Sequence, residues 1–114
     1  MTRRYCLALD LKDAPDLIAE YERYHQEVWP EITGSIRDSG IEDMEIYRTG
    51  NRLFMVLETS DDYSFDAKAH ADRTNPRVQE WETLMWKFQQ PLPWAPPGEK
   101  WVKMERIFKL EEGG

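Results

Sequence analysis

Strand-like alternation at both ends of the chain, with a hairpin between two helical stretches, leaves few folds open. Over Arg3 to Leu11, Tyr5, Leu7, Leu9 and Leu11 fall on one side, the period-two signature of a half-buried strand. Ile41 to Arg48 and Leu53 to Thr59 read as two more strands, with Thr49-Gly50-Asn51-Arg52 as the hairpin turn between them. Trp101 to Lys109 alternates again and puts Val102, Met104, Arg106 and Phe108 on one side.

The two intervals carry helical spacing. In the first, Asp13 is the expected N-cap, Pro15 fits the first turn and Asp16 suits the positive end of the helix dipole. Leu17, Ile18, Tyr21, Tyr24, His25 and Val28 follow at three- and four-residue spacings. Pro30 restarts the helix, and Ile32 and Ile36 carry it to a stop at Gly40. In the second, Ser60-Asp61-Asp62 is the expected opening and Asn75-Pro76 the break. Val78, Trp81, Leu84, Met85 and Phe88 continue it. Gln89 to Gly98 holds Pro91, Pro93, Pro96 and Pro97 and reads as a semi-rigid loop. Residues 110–114 are expected to fray.

The order β–α–β–β–α–β predicts an α+β, ferredoxin-like chain, an antiparallel sheet with helices on one face. The length, 114 residues, suits a single domain over 1–114. Such a sheet leaves its other face bare, and a bare aromatic-rich face meets a second subunit or a ligand.

Charge narrows the partners. There are 22 acidic residues against 15 basic ones, a net charge of −7. That balance argues against nucleic acid, whose binding needs a positive field, and against an anionic membrane surface. It does not repel a small neutral monosaccharide. No apolar run approaches the roughly 20 residues that span a bilayer. Asp10, Lys12 and Asp13 interrupt any secretory signal. The lone Cys6 cannot close an intramolecular disulfide, so a cytoplasmic protein is expected.

The candidates for chemistry are few. His25 stands four residues after Tyr21 and four before Trp29, so one helical face could carry all three if the helix extends that far. An imidazole beside a phenol and an indole can stack on a sugar and handle its hydroxyl protons. The same spacing also suits a helix-end histidine in an aromatic cluster. His70, among Lys68, Ala69, Ala71 and Asp72, reads as surface. No HxH, HExxH or CxxC spacing supports a metal site. No GxSxG elbow or Gly-rich phosphate loop occurs, and Cys6 has no neighbouring base. Trp81 and Trp86, five apart, fall on different faces, while Trp81, Leu84, Met85 and Phe88 make a core-like stripe. Glu82 is by default a solvated helix residue.

The run Tyr21-Glu22-Arg23-Tyr24-His25-Gln26-Glu27-Val28-Trp29-Pro30-Glu31 resembles the helix Tyr-x-x-x-His-x-x-x-Trp-Pro-Glu of the L-rhamnose mutarotase family. The likeness extends to Ile46-Tyr47, Leu53 to Glu58 and Val78-Gln79-Glu80-Trp81 with Met85, but the proline-rich loop matches poorly. The resemblance implies a homodimeric α+β barrel of ferredoxin-like protomers. It also implies a cofactor-free anomerase that interconverts the α and β pyranoses of a 6-deoxy-hexose. It assigns His25 as proton donor and Tyr21 as a sugar contact. Of the family's tryptophan pair, the first member maps to Trp81 and the second falls on Glu82. A sugar-contacting tyrosine of the family falls on Met44. A carboxylate in place of an aromatic wall accepts paired hydroxyl hydrogen bonds, which suits a different hydroxyl arrangement. The expected substrate is therefore L-fucose ahead of L-rhamnose. In ring opening His25 would protonate the ring oxygen, with Glu82 or a water taking the C1 proton. Two other readings stay open at this stage. One is a ferredoxin-like haem or quinol monooxygenase, on fold analogy alone. The other is a non-catalytic sugar-binding dimer.

Overall fold

The computed structural model describes residues 2–111. The elements run β1 (Thr2–Leu11), α1 (Pro15–Gln26), α2 (Pro30–Asp38), β2 (Ile41–Thr49), β3 (Arg52–Ser60), α3 (Phe65–Thr74), α4 (Pro76–Met85), β4 (Gln89–Gln90) and β5 (Val102–Lys103). The strands form one antiparallel sheet in the order β2-β3-β1-β4, with β5 also on β1. This is the expected ferredoxin-like α+β order, with each helical interval split by a proline.

The pleat sorts the side chains. In the β1–β3 register Leu7 faces Met55 and Leu9 faces Leu53. These four are buried, with Leu11 and Leu57, on the helix-covered side. Tyr21, Ile32, Val78, Trp81, Met85 and Phe88 come down on them from the helices and from the turn after α4. The opposite face carries Cys6, Ala8, Phe54 and Val56, half-buried, and the exposed Tyr47. Val102 pairs with Ala8, Ala8 with Phe54 and Phe54 with Tyr47, so one apolar row crosses the outer face.

Three local expectations are corrected. Asp13 does not cap α1: the N-cap is Ala14, with no side-chain cap bond. Pro15 has no N–H, so one of the donors a cap would satisfy is missing already. The strand β3 runs through Ser60, and α3 opens later, at Ser64, whose side chain accepts from the Ala67 N–H at 3.1 Å. Ser60 instead donates its N–H to the Gly40 carbonyl at 2.9 Å, which keeps it in the sheet. The strand expected over Trp101 to Lys109 is only Val102–Lys103. Gln89–Gln90 occupies the same β1 edge one stretch along, opposite Leu11 and Asp10. The proline-rich loop thus leaves the edge after Gln90 and rejoins it opposite Ala8. Beyond the Met104 N–H, which donates to the Cys6 carbonyl at 2.7 Å, Ile107, Phe108 and Leu110 are exposed. Alternation makes a strand only where one face has a core to enter, and no core lies there. Residues 112–114 of the expected frayed tail lie outside the described residues.

Asn75 does end one helix and start the next. Its Oδ1 accepts from the Arg77 N–H at 3.0 Å and the Val78 N–H at 3.4 Å, capping α4 beside Pro76. Among the described residues no helix is long and apolar enough to cross a membrane.

Candidate active site

A cavity of about 570 Å³ lies between the inner face of the sheet and the helices. That volume is in the range of small-molecule sites. Tyr21, His25, Met44, Trp81 and Glu82, the five residues singled out in the sequence, all line it. The helix α1 supplies Tyr21 and His25, β2 supplies Met44, and α4 supplies Trp81 and Glu82.

The centre of the site is an aromatic stack. The Tyr21 and His25 rings are 4.3 Å apart at 33°, the i, i+4 neighbours expected on one helical face. Trp81 meets His25 edge-on at 5.6 Å. Trp29 also reaches Trp81, at 5.1 Å, but not along α1. That helix ends at Gln26, and Trp29 is the N-cap of α2, so the shared helical face stops at His25. Trp86 lies on another side of the chain and is 36% exposed. His70 is exposed and does not line the cavity.

The proton chemistry of His25 follows from two contacts. Its Nδ1 lies 2.9 Å from the Tyr21 carbonyl oxygen. A carbonyl only accepts, so Nδ1 carries the proton and Nε2 is left with a lone pair. Burial lowers the His25 pKa from its ordinary 6.5, and the Tyr21 carbonyl partly opposes that. The ring therefore rests neutral at pH 7. Tyr21 is pushed the other way. Burial raises its pKa to about 12, opposed by a hydrogen bond with the Gln89 side chain and aided by the Glu82 charge. Its hydroxyl remains a donor across the physiological range.

Glu82 is not simply a solvated helix residue. The Lys100 ammonium donates to its Oε2 at 2.7 Å and to its backbone carbonyl at 3.2 Å. Only 10% of the Lys100 side chain is exposed. Its Nζ also sits 4.6 Å from the centre of the Trp86 ring. The proline-rich loop thus delivers Lys100 to α4, and Trp101, the next residue, to the cavity wall.

Sequence reasoning missed Lys100, Trp101 and Gln89 as site residues. Trp101 had a signal in its bulk at the start of the alternating segment. Lys100 had none, because its partner is 18 positions away and the loop path decides the meeting. Gln89 is 4% exposed and also lines the cavity. Its Oε1 is buried with no hydrogen-bond partner among the described residues. An unmet buried acceptor costs about 1–3 kcal/mol. Among the described residues no group of three His, Cys, Asp or Glu side chains could hold a metal ion.

Comparison with known proteins places nearly the whole chain in one family. The family model for L-rhamnose mutarotase matches residues 4–110, well past Met85 and through the proline-rich loop. An L-fucose mutarotase of Xanthomonas campestris pv. campestris is 50% identical over 112 residues, covering 96% of this chain and 90% of that protein. An L-rhamnose mutarotase of Acidiphilium cryptum is 35% identical over 85 residues, covering 61% of this chain and 82% of that protein. In fold, the crystal structure of an L-rhamnose mutarotase from Formosa agariphila superposes with a TM-score of 0.69 at 22% identity, covering 96% of this chain and 99% of that one. With the match spanning nearly the whole chain and the aromatic–histidine cavity inside it, this protein belongs to the L-rhamnose mutarotase family.

Proposed function

We propose that this protein is a mutarotase that interconverts the α and β anomers of a 6-deoxy-L-hexose, with L-fucose preferred over L-rhamnose. The observation that carries the reading is His25. Its Nδ1 is tied to the Tyr21 carbonyl inside a cavity of small-molecule size, so Nε2 is the nitrogen left for substrate.

Ring opening removes the proton from the C1 hydroxyl, breaks the bond from C1 to the ring oxygen and places a proton on that oxygen. The neutral Nε2 takes the C1 hydroxyl proton, and C1 becomes the aldehyde carbon as its bond to the ring oxygen breaks. The imidazolium then gives the same proton to the ring oxygen. Both oxygens start on C1, so one ring nitrogen serves both. Rotation about the C1–C2 bond and the reverse steps close the other anomer. Here His25 is still the proton donor to the ring oxygen, but it enters the cycle as a base. Trp81 stacks on the sugar, Tyr21 donates its hydroxyl, and Glu82 accepts from sugar hydroxyls while Lys100 holds it.

Two observations support L-fucose. The relative that is 50% identical over nearly the whole chain is an L-fucose mutarotase. Glu82 and Met44, which stand where the family pattern has aromatic residues, both line the cavity. The test is catalysed anomer exchange on the two sugars. Faster exchange of L-fucose supports the reading, and equal rates or a preference for L-rhamnose contradict it.

The reading includes a homodimer that covers the outer sheet face. The row Val102, Ala8, Phe54 and Tyr47 runs across that face, and Tyr47 is 56% exposed. Sedimentation equilibrium should give twice the chain mass, and Tyr47→Lys should shift it toward the single-chain mass. A single-chain mass for the unaltered protein contradicts the dimer.

A further inference from the structure

We infer that Gln89 is a substrate-binding and specificity-determining residue, whose side-chain carbonyl oxygen accepts a hydrogen bond from one hydroxyl of the sugar. The inference rests on the mutarotase reading of the cavity and names a polar contact that the family pattern did not supply.

The backbone first fixes where Gln89 can point. It lies in β4, paired with Leu11 of β1, and the Lys12 N–H donates to the neighbouring Phe88 carbonyl at 2.8 Å. The residue is therefore held on both sides of its Cα by the sheet edge. Its side chain is on the same side as Leu11, toward the cavity rather than the solvent.

The amide then has two ends with different fates. The Gln89 side chain acts on the Tyr21 hydroxyl as a hydrogen-bond donor, opposing the rise that burial gives the Tyr21 pKa. Because Oε1 has no partner among the described residues, the amide nitrogen is that donor. A buried amide oxygen left unmet is a rare feature in a folded protein and calls for an explanation. If Gln89 served only to pack beneath Tyr21, an apolar side chain of similar length would serve better, because it would bury no acceptor. A sugar hydroxyl meets the need. It brings the donor that the site lacks, next to a Tyr21 whose own hydroxyl is a donor. Donor and acceptor thus stand side by side, the pairing that reads the direction of a hydroxyl rather than its mere presence.

The contact is made to the bound sugar in all its forms, so it acts on binding more than on the chemical step. Gln89→Met keeps length and apolar bulk and removes the acceptor together with the amide nitrogen that serves Tyr21. The expected result is a KM for L-fucose exchange raised about tenfold, with kcat changed by less than about threefold and thermal stability equal to or above that of the unaltered protein. Monodeoxy analogues of L-fucose supply a second arm. One of them should lose about tenfold in KM with the unaltered protein and lose nothing further with Gln89→Met. Gln89→Asn, which withdraws the amide by one methylene, should resemble Gln89→Met in KM and guards against a fault in folding.

Sugar affinity by ligand-observed NMR separates this inference from the reading beneath it. If the unaltered protein binds sugar without exchanging its anomers, the mutarotase reading fails, and Gln89→Met must still weaken binding for the inference to stand. If it exchanges anomers and Gln89→Met keeps its KM, the inference fails alone. A protein that neither binds nor exchanges either sugar overturns both.

Discussion

Replacing His25 with alanine is expected to lower catalysed anomer exchange about 10²–10⁴-fold, the usual worth of a positioned proton-transfer group. The fold should persist, because His25 is only half-buried and its side chain bonds to its own helix. Sugar affinity should also persist, because Trp81, Tyr21 and Glu82 remain. Exchange that survives at more than a tenth of the starting rate would contradict the assignment. The pH profile supplies a check that a structural role would not pass. Catalysed exchange should be level through neutral pH and fall in acid, as Nε2 takes up a proton at a pKa below the ordinary 6.5. Stability should follow the same group. The unfolded chain binds this proton at the ordinary pKa, and the folded chain binds it only at lower pH. The stability contributed by the neutral ring is therefore complete above about 6.5 and is lost as pH falls toward the folded pKa. The alanine variant should show a shallower acid decline in urea unfolding.

The largest loss of stability is expected from Phe88→Ala. Phe88 is 1% exposed and packs in the core cluster with Tyr21 of α1. Its ring is 6.1 Å from Tyr21 and 5.9 Å from Tyr24. Truncating a fully buried Phe costs about 3–5 kcal/mol through lost burial and the cavity left behind. A domain of this size is stable by about 5–15 kcal/mol, so the variant approaches the edge of folding. Urea unfolding should show a much lower midpoint with little change in slope. Phe88→Leu, which keeps most of the volume, should lose far less. A loss under about 1 kcal/mol for the alanine variant would show that the site relaxes around the gap.

The strand and helix order was legible because β1, β3 and the two helical intervals each keep a clear period over most of their length. Leu7, Leu9 and Leu11 are buried as their alternation requires, and so are Trp81, Met85 and Phe88 on their stripe. Proline marked both helix breaks because it forbids what a continuous helix needs at that point. The edge of the sheet was not legible. Whether Trp101 to Lys109 lies along β1 depends on where a ten-residue loop returns, and alternation carries no information about that. The same loop hid Lys100 from sequence reasoning, since its salt bridge to Glu82 is made by the path of the chain. Gln89 was hidden for a different reason. A glutamine before a proline-rich segment reads as loop, and only burial reveals an acceptor without a partner. The Tyr21–His25 pair was legible because a one-turn spacing is the shortest reliable geometry a sequence offers.

The most direct test of the account is saturation-transfer NMR on the unaltered protein. The α-H1 signal of L-fucose is saturated, and loss of intensity is followed at β-H1, with and without protein. L-Rhamnose is run in a second tube. Protein-dependent transfer is expected in both tubes, faster for L-fucose. Equal or faster transfer for L-rhamnose would contradict the substrate assignment. No transfer with either sugar would contradict the central claim and leave a protein with the family's fold but without its chemistry.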